Sequence, residues 1–324
     1  MSMAADTSAA GPGADSDLTA QRRALGEGAL LRRMDELGTL VVTGSERQSW
    51  LNGLVTCDLA SLRPGGGAYG LSVAKSGKIL TEVWILVAAD RLYVAVLRER
   101  LELLRETFDR YLIMEDAEVT DASAEHGWIL AAGPRSAGIV EAGRGVAGVE
   151  AARVDWTGLD GAALVAPRGA VDAALAALIA AGGTPTSPEA WEALRVEHNV
   201  PRFGVDFDAE NYPQEASLED RAVSFSKGCY LGQETVFMLQ MRGHAKKRLV
   251  QIEIEGEDDV PAGAEVSLPE GGAVGHVTSR ARSPRAPGVI ALGYVKYKHA
   301  TQGAALRVAG RAASVVGVRG APGG

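Results

Sequence analysis

The chain has 324 residues, 46% of them hydrophobic, and a formal net charge of -8. That length allows two or three domains with a sizeable core, and the acidic balance argues against a general nucleic-acid binder. The two cysteines, Cys57 and Cys229, exclude a disulfide framework or a four-cysteine cluster, and the five histidines show no HxxH or HExxH spacing, so no dedicated metal site is expected.

Residues 1–17 are rich in Ala, Ser, Gly and Asp, with no apolar core and no arginine. They read as a disordered tail, set at residues 1–20, rather than a signal or transit peptide. No apolar run approaches the length that spans a bilayer, and free thiols suit a reducing compartment. The expectation is a soluble, cytoplasmic monomer with neither a membrane nor a direct nucleic-acid partner.

In chain order, Gln21 to Glu36 reads as a helix and Thr39 to Val42 as a strand, with Ser45 placed to cap the next helix. Trp50, Leu51, Leu54 and Val55 give that helix an apolar face. Ala68 to Ala74 and Ile79 to Val87 read as strands joined by Lys75-Ser76-Gly77-Lys78, followed by a strand at Leu92 to Val96. Leu97, Leu101, Leu104 and Phe108 recur at helical spacing, and Glu115 to Thr120 is a further strand. This order suggests a ferredoxin-like α+β unit. A second set follows: strand Trp128 to Ala132, a helix from Arg135, and strands at Arg153 to Asp155 and Gly161 to Val165. It continues with an alanine-rich helix at Ala170 to Ala181 and a helix opened by Ser187 and Pro188. Residues 21–243 are therefore read as an α+β body of two subdomains. From about residue 244 to 324 the texture changes to short strands between Pro and Gly turns, a small antiparallel barrel or sandwich.

The most distinctive stretch is Ser226-Lys227-Gly228-Cys229-Tyr230-Leu231-Gly232-Gln233-Glu234. Its glycines suggest a tight turn or a close backbone approach, and Gln233 to Leu239 can begin a helix. A thiol near a cation and a helix N-terminus gains thiolate character; the alternative is an inert, packed cysteine.

This stretch resembles the K-G-C-[FY]-x-G-Q-E signature of the YgfZ family, folate-binding proteins related to the glycine cleavage T-protein (aminomethyltransferase). Other segments resemble that superfamily in the same order: Leu51-Asn52 through Asp58, Leu194-Arg195-Val196-Glu197, Gly204-Val205-Asp206 and Pro213-Gln214-Glu215. Arg242-Gly243 with Lys247-Arg248 follows, and in the barrel Val274 to Ser279 and Ile290 to Val295. The resemblance implies a three-domain ring like the T-protein, with two interleaved α+β subdomains plus a C-terminal antiparallel β-barrel, binding tetrahydrofolate at its centre. It also implies a role in iron–sulfur cluster assembly or repair, and through it in tRNA modification, with iron–sulfur client proteins or assembly factors as partners.

The resemblance places Glu215 on the pterin ring, whose amino-pyrimidine edge suits a carboxylate, and Arg242 near the folate glutamate tail. Asn52 is either a polar contact at the cavity wall or a brace for a turn. Arg195 and Glu197 read as structural. Lys227 and Cys229 are the candidate catalytic pair, and Gln233 either contacts the cofactor or ties the loop. Where the transferases carry an Asp-Asp pair this chain has Thr81-Glu82, and Leu97 stands where they tend to carry asparagine. Glu82 is thus a candidate cofactor contact, one methylene longer than aspartate, which argues against aminomethyl transfer. The alternatives are a folate-dependent aminomethyl- or methyltransferase, and an adaptor that kept the ring and lost the ligand. Cys57 has no assigned role.

Overall fold

The computed structural model describes residues 12–241, 245–256, 258–283 and 287–319. Helix α1 (Pro12–Glu27) is followed by β1 (Leu30–Arg33) and β2 (Leu37–Thr43). The expected helix over 21–36 therefore starts and stops earlier, and residues 12–20, expected in a disordered tail, are helical. Gly26 and Gly28 weaken the helix, and Leu30 and Leu31 are drawn into strand pairing with Ala132 and Ala131.

The first half continues with α2 (Arg47–Asn52), β3 (Gly67–Val73), β4 (Ile79–Val87), β5 (Leu92–Leu97), α3 (Arg98–Arg110) and β6 (Glu118–Asp121). Ser45 does not cap α2; its hydroxyl donates to Asp116 Oδ2 at 2.6 Å, and Glu46 holds the cap position. The second half comprises β7 (His126–Ala132), α4 (Ser136–Val140), β8 (Glu150–Arg153), β9 (Gly161–Pro167), α5 (Val171–Ala180) and β10 (Thr184–Pro185). Then come α6 (Pro188–Glu197), where Ser187 Oγ accepts from the Ala190 N–H, α7 (Glu219–Ala222) and α8 (Gln233–Met241).

The first sheet runs β3-β4-β5-β2-β6 and the second β10-β1-β7-β9-β8. Within the first, β6-β2-β5-β4 is the ferredoxin-like order, with β3 added at the edge. The second has the same order with β1 inserted between β10 and β7. The strand that precedes the first unit thus completes the second, and the halves interleave as expected.

Strand periodicity sorts the residues. Val83, Ile85 and Val87 of β4 pack with Trp50, Leu51, Leu104 and Phe108 of α2 and α3. On the second sheet Ile129, Ala131 and Leu164 pack with Ile139 and Leu178 of α4 and α5. The opposite faces, carrying Trp84 and Leu86 from one sheet and Trp128, Leu130 and Val165 from the other, share one central core. Helices thus cover the outer faces, and the sheets' inner faces enclose the middle of the molecule.

The remaining strands are β11 (Lys247–Glu255), β12 (Glu265–Ser267), β13 (Ala273–Arg282), β14 (Gly288–Lys296), β15 (Ala305–Val308) and β16 (Arg311–Gly317). They close as an antiparallel barrel in the order β11-β14-β13-β12-β15-β16, filled by Val250, Ile252, Val277, Val295 and Leu306. Closure leaves no open sheet edge. Strand β16 was not anticipated, because Arg311-Ala312-Ala313-Ser314 carries little β-propensity of its own.

A buried polar network joins barrel to body. Arg195 Nη1 donates to Asp206 Oδ2 at 2.6 Å and its Nη2 to Ser279 Oγ at 2.8 Å. Asp206 also accepts from Thr278 Oγ1 at 2.5 Å and from the Arg202 N–H at 3.0 Å. Glu197 pairs with Arg22 of α1. Both residues read as structural, Arg195 and Glu197, hold that role. Among the described residues no helix is long and apolar enough to cross a membrane.

Candidate functional site

A cavity of about 510 Å³ opens among the two inner sheet faces, α6 and the segment after it. Its chemistry starts from β4. Alternation that turns Val83 and Ile85 toward the helices turns Glu82 and Trp84 inward, and both line the cavity. Tyr69, paired with Trp84 across β3 and β4, donates its hydroxyl to Glu82 Oε2 at 2.8 Å. Burial pushes the Glu82 carboxyl up to about 7, against the opposing pull of the Tyr69 hydrogen bond, Arg32 and Arg221. Burial, reinforced by Glu82, also drives the Tyr69 phenol well above its usual range.

The walls are aromatic. Tyr69 and Trp84 have ring centroids 5.4 Å apart, Trp84 and Trp156 are 6.2 Å apart, and Trp156 and Trp191 are 5.1 Å apart. Arg32 lies over Trp191 at 5.6 Å. Arg221 reaches the cavity from α7, with Nη1 fixed on the Thr157 carbonyl at 2.9 Å. Its Nε and Nη2, like the indole Nε1 of Trp84, are buried and have no hydrogen-bond partner among the described residues. A flat-walled pocket with one convergent carboxyl and spare N–H donors is built for a planar, polar-edged ligand.

Of the candidate cofactor and catalytic residues, Glu82 alone lines this cavity, beside Leu97 and Arg195, which the sequence also singled out; Glu215, Asn52, Lys227, Cys229 and Gln233 do not, and Arg242 lies outside the described residues. Glu215 is buried at the junction with the barrel. Its carboxylate accepts from Asn211 Nδ2 and the Tyr212 N–H, each at 3.3 Å, and its main-chain carbonyl accepts from Leu249 at 2.8 Å. Asn52 braces a turn, accepting the Leu59 N–H on Oδ1 at 2.8 Å. Gln233 reaches back to the Gly228 carbonyl at 3.4 Å, which ties the loop rather than a ligand.

The cysteine loop is a separate feature. Lys227 Nζ donates to the carbonyls of Asn52, Val55 and Cys57 at 2.6, 2.9 and 2.6 Å, using all three ammonium protons. The expected catalytic lysine therefore clamps the loop to the end of α2. Cys229 is exposed, whereas Cys57 is buried, its thiol pushed up to about 12 by burial. Of the loop glycines, Gly232 meets the expectation of a close approach, with φ of +77° and a would-be Cβ 2.3 Å from the Ala74 carbonyl oxygen. Gly228 has open space around it.

Sequence reading missed Tyr69, Trp84, Trp156, Trp191 and Arg221. One signal was available: Glu82 interrupts an otherwise apolar strand, and a carboxylate there must either be satisfied or face a cavity.

Residues 13–227 match the family model described as the GCVT N-terminal domain, and residues 247–318 match the glycine cleavage T-protein C-terminal barrel domain. An aminomethyltransferase of Thermosynechococcus vestitus is 28% identical over 285 residues, covering 81% of this chain and 75% of that protein. The tRNA-modifying protein YgfZ of Vibrio vulnificus is 27% identical over 231 residues, 68% of each chain. A putative chloroplastic transferase of Arabidopsis thaliana is 24% identical over 299 residues, 86% of this chain and 68% of that protein. The solved structure of the glycine cleavage system aminomethyltransferase T from Bartonella henselae superposes with a TM-score of 0.78 at 19% identity, covering 93% of this chain and 88% of that one.

Proposed function

Because the chain belongs to the glycine cleavage T-protein family, we propose that its central cavity binds tetrahydrofolate, with the amino-pyrimidine edge of the pterin on Glu82. The observation that carries this reading is a single buried carboxyl, hydrogen-bonded to Tyr69, in a cavity walled by Trp84, Trp156 and Trp191. An aminopterin edge offers paired N–H donors to a carboxylate, and its ring offers a face to the indoles. The residues present fit the group: Glu82 and Tyr69 would hold its polar edge, and the tryptophans its faces. When bound, folate supplies one-carbon chemistry, and the protein's own part is to orient it and exclude water.

The cysteine loop supports placing the chain with the YgfZ-like branch. In that reading the protein is cytoplasmic and sustains iron–sulfur proteins, and through them tRNA modification, with the exposed Cys229 as its reactive group. Glu215 braces the barrel junction. Titrating the purified protein with tetrahydrofolate while following tryptophan fluorescence tests the binding. Saturable quenching in the wild type, lost in Glu82→Gln and kept in Glu215→Gln, is expected; loss only in Glu215→Gln would move the pterin to the junction. Complementation of a deletion strain tests the iron–sulfur role, which fails if Cys229→Ala restores iron–sulfur enzyme activity fully.

A folate-dependent transferase is favoured by one specific observation. A cavity carboxyl pushed up to about 7 can exchange a proton near neutrality. Turnover of an aminomethyl donor with tetrahydrofolate, abolished by Glu82→Gln, would establish it.

A further inference from the structure

Arg221 is placed with care and left half used. Its Nη1 is anchored on the Thr157 carbonyl, which also accepts from Arg319 Nη1 at 3.0 Å, so the guanidinium plane is fixed. The edge formed by Nε and Nη2 is buried without a partner among the described residues, and so is Trp84 Nε1. All belong to residues lining the same cavity. A buried guanidinium edge without an acceptor is costly, because its lost water is not replaced. Nε with Nη2 is a two-pronged donor whose spacing matches the two oxygens of a carboxylate. Arg32, Arg195 and Arg202 of the lining are paired with Glu36, Asp206 and Glu192, whereas no carboxylate among the described residues is hydrogen-bonded to Arg221. Burial, with Arg221 adding to it, pushes neighbouring Arg319 down to about 10, against the opposing pull of Asp220 and Asp155.

We propose that the Nε–Nη2 edge of Arg221 and the indole N–H of Trp84 form a carboxylate subsite that takes a small organic acid alongside folate. That the acid is a separate molecule rests on the folate reading. Arg221 is close enough to Glu82 and Tyr69 for its charge to act on both. A folate whose pterin sits on Glu82 carries its own carboxylates at the far end of the molecule, away from Arg221. The surrounding tryptophans restrict the acid to a small one, and its carboxylate would meet three N–H donors while any apolar part lies on indole.

Calorimetric titration of the full chain with acetate, glycolate and glycine at constant ionic strength, against chloride, tests this. At least one acid is expected to bind saturably and to keep binding when tetrahydrofolate is saturating. Affinity should fall about tenfold or more in Arg221→Gln, which loses a charge-assisted pair, and measurably in Trp84→Phe, which keeps an aromatic ring, though a smaller one, and loses the N–H. If Arg221→Gln fails to fold, Arg221→Lys and Trp84→Phe carry the comparison, since lysine keeps the charge without the two-point edge. The proposal is overturned by no saturable binding of any acid, by equal affinity in the wild type and the folded variants, or by displacement of the acid by tetrahydrofolate. Acid binding without tetrahydrofolate binding would sink the folate reading and leave the subsite standing.

Discussion

The Tyr69 hydroxyl donates to Glu82 at 2.8 Å, with both residues less than a tenth exposed. This pair sets a pH dependence whose sign is fixed. Burial raises the Glu82 carboxyl from 4.5 to about 7 in the folded protein. Between those values the unfolded chain loses its proton first, so stability falls as pH rises through that window, by on the order of 3 kcal/mol, and then levels off. Below the window both states are protonated and no penalty remains. Glutamine cannot ionise, so Glu82→Gln should gain on the wild type by that amount between pH 5 and pH 8 in urea melts. Glu219, also raised to about 7 by burial against the opposing pull of Arg248, is present in both proteins and cancels. An unchanged gap at the two pH values would contradict the assignment.

The two cysteines should separate cleanly by accessibility. Cys229 is exposed and Cys57 is buried, close enough to β3 that a Cβ on Gly70 would stand 2.5 Å from its sulfur. A thiol reagent such as DTNB is expected to titrate one group in native protein and two in guanidinium. Lys227→Met should cost about 2–3 kcal/mol, because three carbonyls lose their donor. A neutral effect of that substitution on the urea midpoint would show the clamp to be dispensable.

The sequence makes the sheets legible because short apolar runs bounded by turns fill β4, β5 and β7, and it makes α6 legible because Ser187 and Pro188 form a working cap. The first helix was harder: Leu30 and Leu31 fit a helical stripe as well as a strand, and only pairing with β7 decides between them. The cavity was the least legible part. Glu82 was singled out through its position in a motif, but Trp156, Trp191 and Arg221 come from separate segments that only the tertiary fold brings to one wall. Lys227 misled because sequence adjacency to Cys229 says nothing about where a long side chain ends, and its ammonium ends on the turn after α2.

Gly232 and Gly228 flank the same cysteine, yet substitution should separate them. Gly232 has φ of +77° and would place a Cβ 2.3 Å from the Ala74 oxygen, a main-chain atom that cannot easily move. Gly232→Ala should therefore cost about 2 kcal/mol or more and unseat the loop from the β3–β4 turn. Gly228→Ala meets nothing within 4 Å and should stay within about 0.5 kcal/mol of the wild type. Chemical denaturation of the two variants side by side checks this, and equal losses would mean that the loop does not rest on that turn.

The ion pair of Arg195 and Asp206 predicts how barrel and body come apart. Both side chains are nearly fully buried, and the aspartate joins α6 to Thr278 and Ser279 on β13. Asp206→Asn leaves the buried Arg195 guanidinium with only the part-exposed Glu192 to balance it, which should cost about 3 kcal/mol. Because the network bridges two units with separate cores, the loss should appear as a split transition, the barrel unfolding apart from the body. Pairing Asp206→Asn with Arg195→Met removes the stranded charge and should recover part of the loss, a coupling that a double-mutant cycle measures. A single cooperative transition with purely additive losses would show that the apolar contacts between α6 and the barrel, rather than this pair, hold the two together.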